Sequence, residues 1–338
     1  MSTAAGPGPA GTQLPVAVDA MGGDNAPAAI VDGALQAAAD LGVAVVLVGR
    51  PEEVDPLRGD LDLIAASEVV AMGADPGASV RRMKDSSLVR AAEAVRDGRA
   101  AAMVSAGNTG AAMAAALLRM GRLAGVARPA IATPIPVPGA TPTVLLDAGA
   151  NAECQPAWLV QFAQMGTVFA RERFGIARPR VGLLSIGEEA SKGNPLVKEA
   201  HVLLAAEGAL DRAGGTFLGN VEGRDVMTSD VDVVVTDGFT GNVTLKTLEG
   251  GITVLVEAVL DALGSSDVAD RAFQSLLPLY ATLDPDQTGG AMLLGVDGVC
   301  IISHGSSSAR AIVNAARVAR EMVECDLVAH LRAAVASA

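Results

Sequence analysis

A chain of 338 residues that is half apolar but only 2% aromatic must build its core from Ala, Val, Leu and Ile, which suits parallel strands and close-packed helices in one large α/β unit or two lobes. Its net charge of −13 argues against nonspecific nucleic-acid binding, which needs a basic surface. Cys154, Cys300 and Cys325 are too scattered for a disulfide framework or a CxxC metal site, no secretory leader is recognisable, and no apolar run approaches the ~18 residues that span a bilayer, so a cytoplasmic protein that at most touches a membrane surface is expected.

Residues 1–13 have nothing to bury and read as a disordered tail before an α/β catalytic unit over 14–338. From there the chain repeats one pattern: a short strand, a loop of Gly, Ser, Thr, Asn and Asp, then a helix. Val16-Ala17-Val18-Asp19 leads into Ala20-Met21-Gly22-Gly23-Asp24-Asn25, a helix over 28–40 and a strand over 44–48. One short strand is expected at 68–72. Arg81, Arg82, Lys84 and Arg90 make the densest cationic stretch, and 87–98 reads as a helix. Ala102-Met103-Val104 leads into Ser105-Ala106-Gly107-Asn108-Thr109-Gly110 and a helix over 111–120, after which Arg119, Arg122 and Arg128 add positive charge.

Prolines between Pro129 and Pro142 suggest a strand bounded by turns, and a further strand over 143–146 ends in Asp147-Ala148-Gly149-Ala150-Asn151. A helix over 156–174 carries Trp158, Leu159, Phe162, Met165 and Phe169 at core spacing. Val181-Gly182-Leu183-Leu184-Ser185-Ile186 leads into Gly187-Glu188-Glu189-Ala190-Ser191-Lys192-Gly193-Asn194 and a helix over 195–206. Val231-Asp232-Val233-Val234-Val235-Thr236 reads as a strand buried on both faces; it stops at Asp237, where a six-residue loop ending at Asn242 opens an apolar helical stripe from Val243 to Leu263. Residues 264–289 break the rhythm as an apolar helical insertion, before Val299-Cys300-Ile301-Ile302, the loop Ser303-His304-Gly305-Ser306-Ser307-Ser308 and a final helix from 309.

Loops at the carboxyl ends of parallel strands are where open α/β sheets bind ligands, and the amides and dipole of the following helix favour an anion. Any one of them serves as readily as a plain turn with a helix cap. Several on one rim predict a crevice that includes Asp19, Gly22, Gly23, Asp24 and Asp237. Lys192 stands where packing rarely needs a side chain and reads as an anion partner; the neighbours of His304 favour an anion contact too. GxxxxGK[ST], GxGxxG, GxSxG and HExxH are all absent, so ATPase, dinucleotide and zinc readings lose their support, and a thiol nucleophile is not expected from Cys154 or Cys300.

Val18-Asp19-Ala20-Met21-Gly22-Gly23-Asp24, Ser105-Ala106-Gly107-Asn108-Thr109-Gly110-Ala111, Leu146-Asp147-Ala148-Gly149-Ala150-Asn151, Thr236-Asp237-Gly238-Phe239-Thr240-Gly241-Asn242-Val243 and His304-Gly305-Ser306-Ser307 together resemble the bacterial phosphate acyltransferases of phospholipid synthesis, the PlsX family, over about residues 15–330. The resemblance implies a mostly parallel central sheet with helices on both faces, similar to isocitrate/isopropylmalate dehydrogenases and phosphotransacetylases. It implies a homodimeric enzyme, with no metal or cofactor, that moves a fatty acyl group from acyl carrier protein to inorganic phosphate. The acyl phosphate would feed a membrane-bound glycerol-3-phosphate acyltransferase, and peripheral contact with the inner face of the membrane is expected.

Ionised phosphate attacks a thioester without a protein nucleophile, so such an enzyme has to position reactants and stabilise charge. On this reading Lys192 and the loop residues Gly107, Thr109, Gly110, Gly193, Asn194, Gly238, Thr240, Gly241 and Ser306 hold phosphate. Asn108, Asn194 or Asn242 donates to the thioester oxyanion, and His304 orients phosphate or protonates the thiolate. An apolar groove near 273–283 takes the acyl chain, and Arg81, Arg82, Lys84, Arg119 and Arg122 dock the acidic carrier protein. Two departures stand out: Asn25 replaces the family's usual His, and Asp267, Asp270, Asp284 and Asp286 in the insertion weaken attraction to anionic lipids. The competing readings are a phosphotransacetylase acting on short acyl-CoA, a non-catalytic acyl-phosphate- or phosphate-binding regulator and a metal-dependent hydroxyacid dehydrogenase.

Overall fold

The computed structural model describes residues 14–264, 274–276, 283 and 285–335; the tail 1–13, and most of the expected insertion with its acyl-chain groove, lie outside the described residues. The strands are β1 (Val16–Asp19), β2 (Val45–Gly49), β3 (Asp62–Ala65), β4 (Ala102–Ser105), β5 (Ala130–Ile135) and β6 (Thr143–Leu146), then β7 (Arg180–Leu184), β8 (Thr216–Val221), β9 (Val233–Val235), β10 (Ala291–Leu294) and β11 (Val299–Ile302). The helices are α1 (Ala28–Leu41), α2 (Pro51–Val54), α3 (Pro76–Arg82), α4 (Ser87–Arg96), α5 (Thr109–Arg119) and α6 (Pro156–Phe174), then α7 (Pro195–Ala205), α8 (Gly238–Leu263), α9 (Pro285–Thr288), α10 (Ala309–Glu324) and α11 (Leu327–Val335).

Among the described residues the strands form one sheet in the order β3-β2-β1-β4-β11-β10-β5-β6-β9-β7-β8. β1, β4, β6, β9 and β11 are buried along their whole length, as strands of a sheet covered on both faces require. One continuous cluster of buried side chains, including Val18, Leu47, Phe162, Val233 and Ile312, packs α1, α6, α7 and α10 on one face. Val89, Ala112, Met103 and Ile302 build the opposite face under α4 and α5, and Leu245 of α8 packs against it.

Strand directions correct the expectation of one shared rim. β10 pairs antiparallel with both β11 and β5, and β5 pairs antiparallel with β6. Consequently β1, β2, β3, β4, β11 and β5 run one way, and β10, β6, β9, β7 and β8 run the other. The loops after β1, β4 and β11 therefore leave one edge of the sheet, and those after β6, β7 and β9 leave the opposite edge. Residues of both sets come together over the central β5–β10 pair.

Three local readings also change. The strand expected at 68–72 lies instead at β3, a half-exposed edge strand whose apolar pattern is weak; Glu68 makes a single bridge to Ser86. The six-residue loop after β9 is the first turn of α8, because Asp237 caps the helix by accepting from Thr240 N at 2.8 Å. The apolar stripe of α8 has the helical spacing expected, yet Val254 and Leu255 are each 65% exposed, so its second half is not packed into the described core. No helix among the described residues is long and apolar enough to cross a membrane.

Candidate active site

At the first edge the glycine-rich loops are locked to one another. Buried Asp19 accepts from Met21 N and from Ser105 Oγ at 2.7 Å, and Ser105 Oγ in turn accepts from Gly107 N. Burial pushes the Asp19 carboxyl above its ordinary range, against the donors that favour its charge. Gly22 lies so close to Gly107 that an added Cβ would stand 2.6 Å from its nitrogen, and Gly23 sits at φ +105°. Asp24 N donates to Gly305 O, and Asn25 Nδ2 donates to the carbonyls of Ser306 and Ser307. Asn25 thus ties the β1 loop to the β11 loop.

The opposite edge is organised by Asp147. Its fully buried carboxylate accepts five N–H bonds, from Ile131, Gly149 and Ala150 on Oδ1 and from the amide and side chain of Asn151 on Oδ2. Burial again pushes the carboxyl up while these donors favour the ionised form. Gly238 N donates to Asn151 O, and Gly241 N to Asp237 O. Thr240 spends both its amide and its hydroxyl on Asp237. The amides of Gly238, Thr240 and Gly241, expected to hold phosphate, are therefore already satisfied, and these glycines serve close packing. Asn108 and Asn194 likewise cap α5 and α7, and Asn108 Nδ2 donates to the Met72 and Ala74 carbonyls, which removes it as an oxyanion donor. Lys192 is exposed on the β7–α7 loop with its side chain over Gly187, next to Gly193, which needs its φ of +97°.

Between the two edges, a cleft of ≈ 170 Å³ opens over the face of the β5–β10 pair, walled by the start of α5, by α8 and by the loop before α10. Thr109, Asn242 and His304 line it; Lys192, Asn108, Gly193 and Asn194 do not. Thr109 and Gly110 begin α5, where first-turn amides have no intrahelical acceptor. Asn242 Nδ2 gives one hydrogen bond to Ala148 O at 3.2 Å, leaving its second N–H. His304 Nδ1 lies 2.7 Å from Ser306 Oγ and accepts from Ser306 N at 3.3 Å. An amide can only donate, so the proton of the neutral ring is on Nε2. Lys246, Glu249 and Ser303 also line the cleft, and the sequence reading gives none of them a role. Lys246 falls one helical turn after Asn242, a signal hidden while 237–242 is read as loop.

The cationic residues divide. Arg119 pairs with Glu93 at 3.6 Å and Arg122 donates to the Val126 and Ala127 carbonyls, so both are structural, whereas Arg81, Arg82 and Lys84 are exposed at the end of α3. Burial pushes the Cys154 and Cys300 thiols up to about 12, so neither is a thiolate near neutral pH. Cys154→Ser is accordingly expected to leave enzymatic turnover unchanged, and wild-type protein should resist inactivation by iodoacetamide at about pH 7; loss of turnover in either experiment would implicate the thiol.

A family model for fatty acid synthesis proteins matches residues 14–330. The phosphate acyltransferase of Heliobacterium modesticaldum is 49% identical over 330 residues, covering 94% of this chain and 96% of that protein, and that of Pelotomaculum thermopropionicum is 48% identical, covering 96% of each. The chain belongs to the phosphate acyltransferase family. Among solved structures, this phosphate acyltransferase family member shares its fold with EutD phosphotransacetylase from Staphylococcus aureus, with a TM-score of 0.60 at 16% identity over 92% of this chain and 94% of that one. A 4-hydroxythreonine-4-phosphate dehydrogenase from Klebsiella pneumoniae gives 0.53 at 14% identity, over 92% and 100% of the two chains. The expected class, a mostly parallel α/β sheet covered by helices on both faces, is the one these relatives and the strand order show.

Proposed function

We propose that the enzyme transfers a fatty acyl group from the thioester of acyl carrier protein to inorganic phosphate. The observation that carries the reading is the cleft itself, where groups from both halves of the sheet converge: Thr109 at the start of α5 and His304 from one, Asn242 with its spare N–H from the other. A phosphate oxygen attacks the carbonyl carbon, the C–O bond forms, the C–S bond breaks, and the carrier thiolate leaves and takes a proton from solvent. Thr109 and Gly110 at the helix start receive phosphate. Asn242 donates its remaining N–H to the oxyanion, and His304 Nε2–H faces the charge that develops in the transition state. Lys192, on the neighbouring loop, is left with an accessory part at the rim.

Arg81, Arg82 and Lys84 supply a local cationic surface for an acidic carrier protein on an otherwise acidic chain. The exposed apolar residues of α8 are available to a second copy, in line with a homodimer. Acyl phosphate would pass to a membrane-bound glycerol-3-phosphate acyltransferase from a cytoplasmic enzyme in peripheral contact with the membrane. The deciding assay is acyl phosphate formation from phosphate with palmitoyl-acyl carrier protein, palmitoyl-CoA or acetyl-CoA. Preference for the carrier-protein donor is expected; preference for acetyl-CoA would make the enzyme a phosphotransacetylase, and turnover of none would leave a binding protein.

A further inference from the structure

Resting on that assignment of phosphate as substrate, we infer that Lys246 is the phosphate-binding cation of the cleft and that Glu249 occupies it in the empty enzyme. Lys246 Nζ lies 2.7 Å from Glu249 Oε2, one turn on along α8, and both residues line the cleft. With side chains 49% and 34% exposed, this is a weak, solvent-screened pair, easily exchanged for a stronger anion. Around it stand two further features that suit an anion. The start of α5, an eleven-residue helix, presents Thr109 to the same cleft. Ser303, 4% exposed, lines the cleft as well, and its buried Oγ has no hydrogen-bond partner, a costly state for a hydroxyl unless a ligand completes it.

The second acid of the cleft wall, Asp286, is engaged by Ser308 Oγ at 2.5 Å, at the cap of α10. Glu249 is thus the carboxylate placed to compete with phosphate for Lys246. Incoming phosphate takes the ammonium group and gains the Ser303 hydroxyl and the α5 amides, and Glu249 turns to solvent.

The inference gives the two members of one ion pair opposite phenotypes. Lys246→Gln is expected to raise the KM for phosphate roughly ten- to a hundredfold, the scale of a lost charge-assisted hydrogen bond, with the KM for the acyl donor little changed. Glu249→Gln should lower the KM for phosphate. In parallel, inorganic phosphate should raise the melting temperature of wild-type protein, and Lys246→Gln should lose that response. An unchanged phosphate KM in Lys246→Gln, or a rise of similar size in both variants, overturns the inference, the latter because it marks the pair as a structural clip. If wild-type protein turns over no acyl donor yet is stabilised by phosphate through Lys246, the acyl-transfer reading fails and the phosphate site stands.

Discussion

Gly241→Ala is expected to destabilise the enzyme by about 3 kcal/mol or more, the range of overpacking that the surroundings cannot relieve. An added Cβ would overlap the carbonyl oxygen of Asp147 and press on Thr236. Neither can retreat cheaply. Asp147 is held by five N–H donors from two stretches of chain, and Thr236 is hydrogen-bonded to Leu146 and Asp147 through the backbone. Shifting α8 instead would move Asn242 and Lys246, so activity should fall with stability. Gly250, on the same helix, is the control. Nothing lies within 4 Å of the Cβ it would gain, and alanine in an exposed helix interior is favoured over glycine by about 0.5–1 kcal/mol, so Gly250→Ala should stabilise. Thermal denaturation decides: melting temperatures moving in the same direction would sink the argument that Gly241 is a packing glycine.

Period-two and β-branched runs place most strands, since a strand buried on both faces has to be apolar throughout. Loop composition is more ambiguous. Gly238, Thr240 and Gly241 have the chemistry of an anion-binding loop and also that of a capped helix packed against a neighbour. For Gly238 and Gly241 only the partner, Asp147, more than ninety positions away in sequence, separates the two. The reversal at β5 and β10 is equally invisible locally, because a strand carries no mark of its direction. That reversal sends the loops after β7 and β9 to the edge opposite His304, and since β9 lies one strand nearer the central pair than β7, it is α8 with Asn242 and Lys246, not the loop of Lys192 and Asn194, that reaches the cleft. His304 and Thr109 were legible because they follow directly on strands of the first half, whose loops do share an edge.

The largest loss of turnover should come from His304→Ala, about 10²–10³-fold in kcat, the cost of removing one donor aimed at developing charge. The ring is fixed from behind: Ser306 N and Oγ both address Nδ1, which leaves Nε2–H as the group offered to the cleft. Two companions separate this role from a merely structural one. His304→Gln restores an N–H near the Nε2 position and should recover part of the rate. Ser306→Ala keeps the backbone donor to Nδ1 and should lose less than His304→Ala, because the ring keeps one of its two restraints. The measurement is kcat for acyl phosphate formation at saturating phosphate and palmitoyl-acyl carrier protein. If His304→Ala works at the wild-type rate, developing charge is stabilised without the imidazole, and Asn242 and the α5 amides must suffice. Equal losses in His304→Ala and His304→Gln, with stability unaltered, would instead point to proton transfer, which an amide cannot perform.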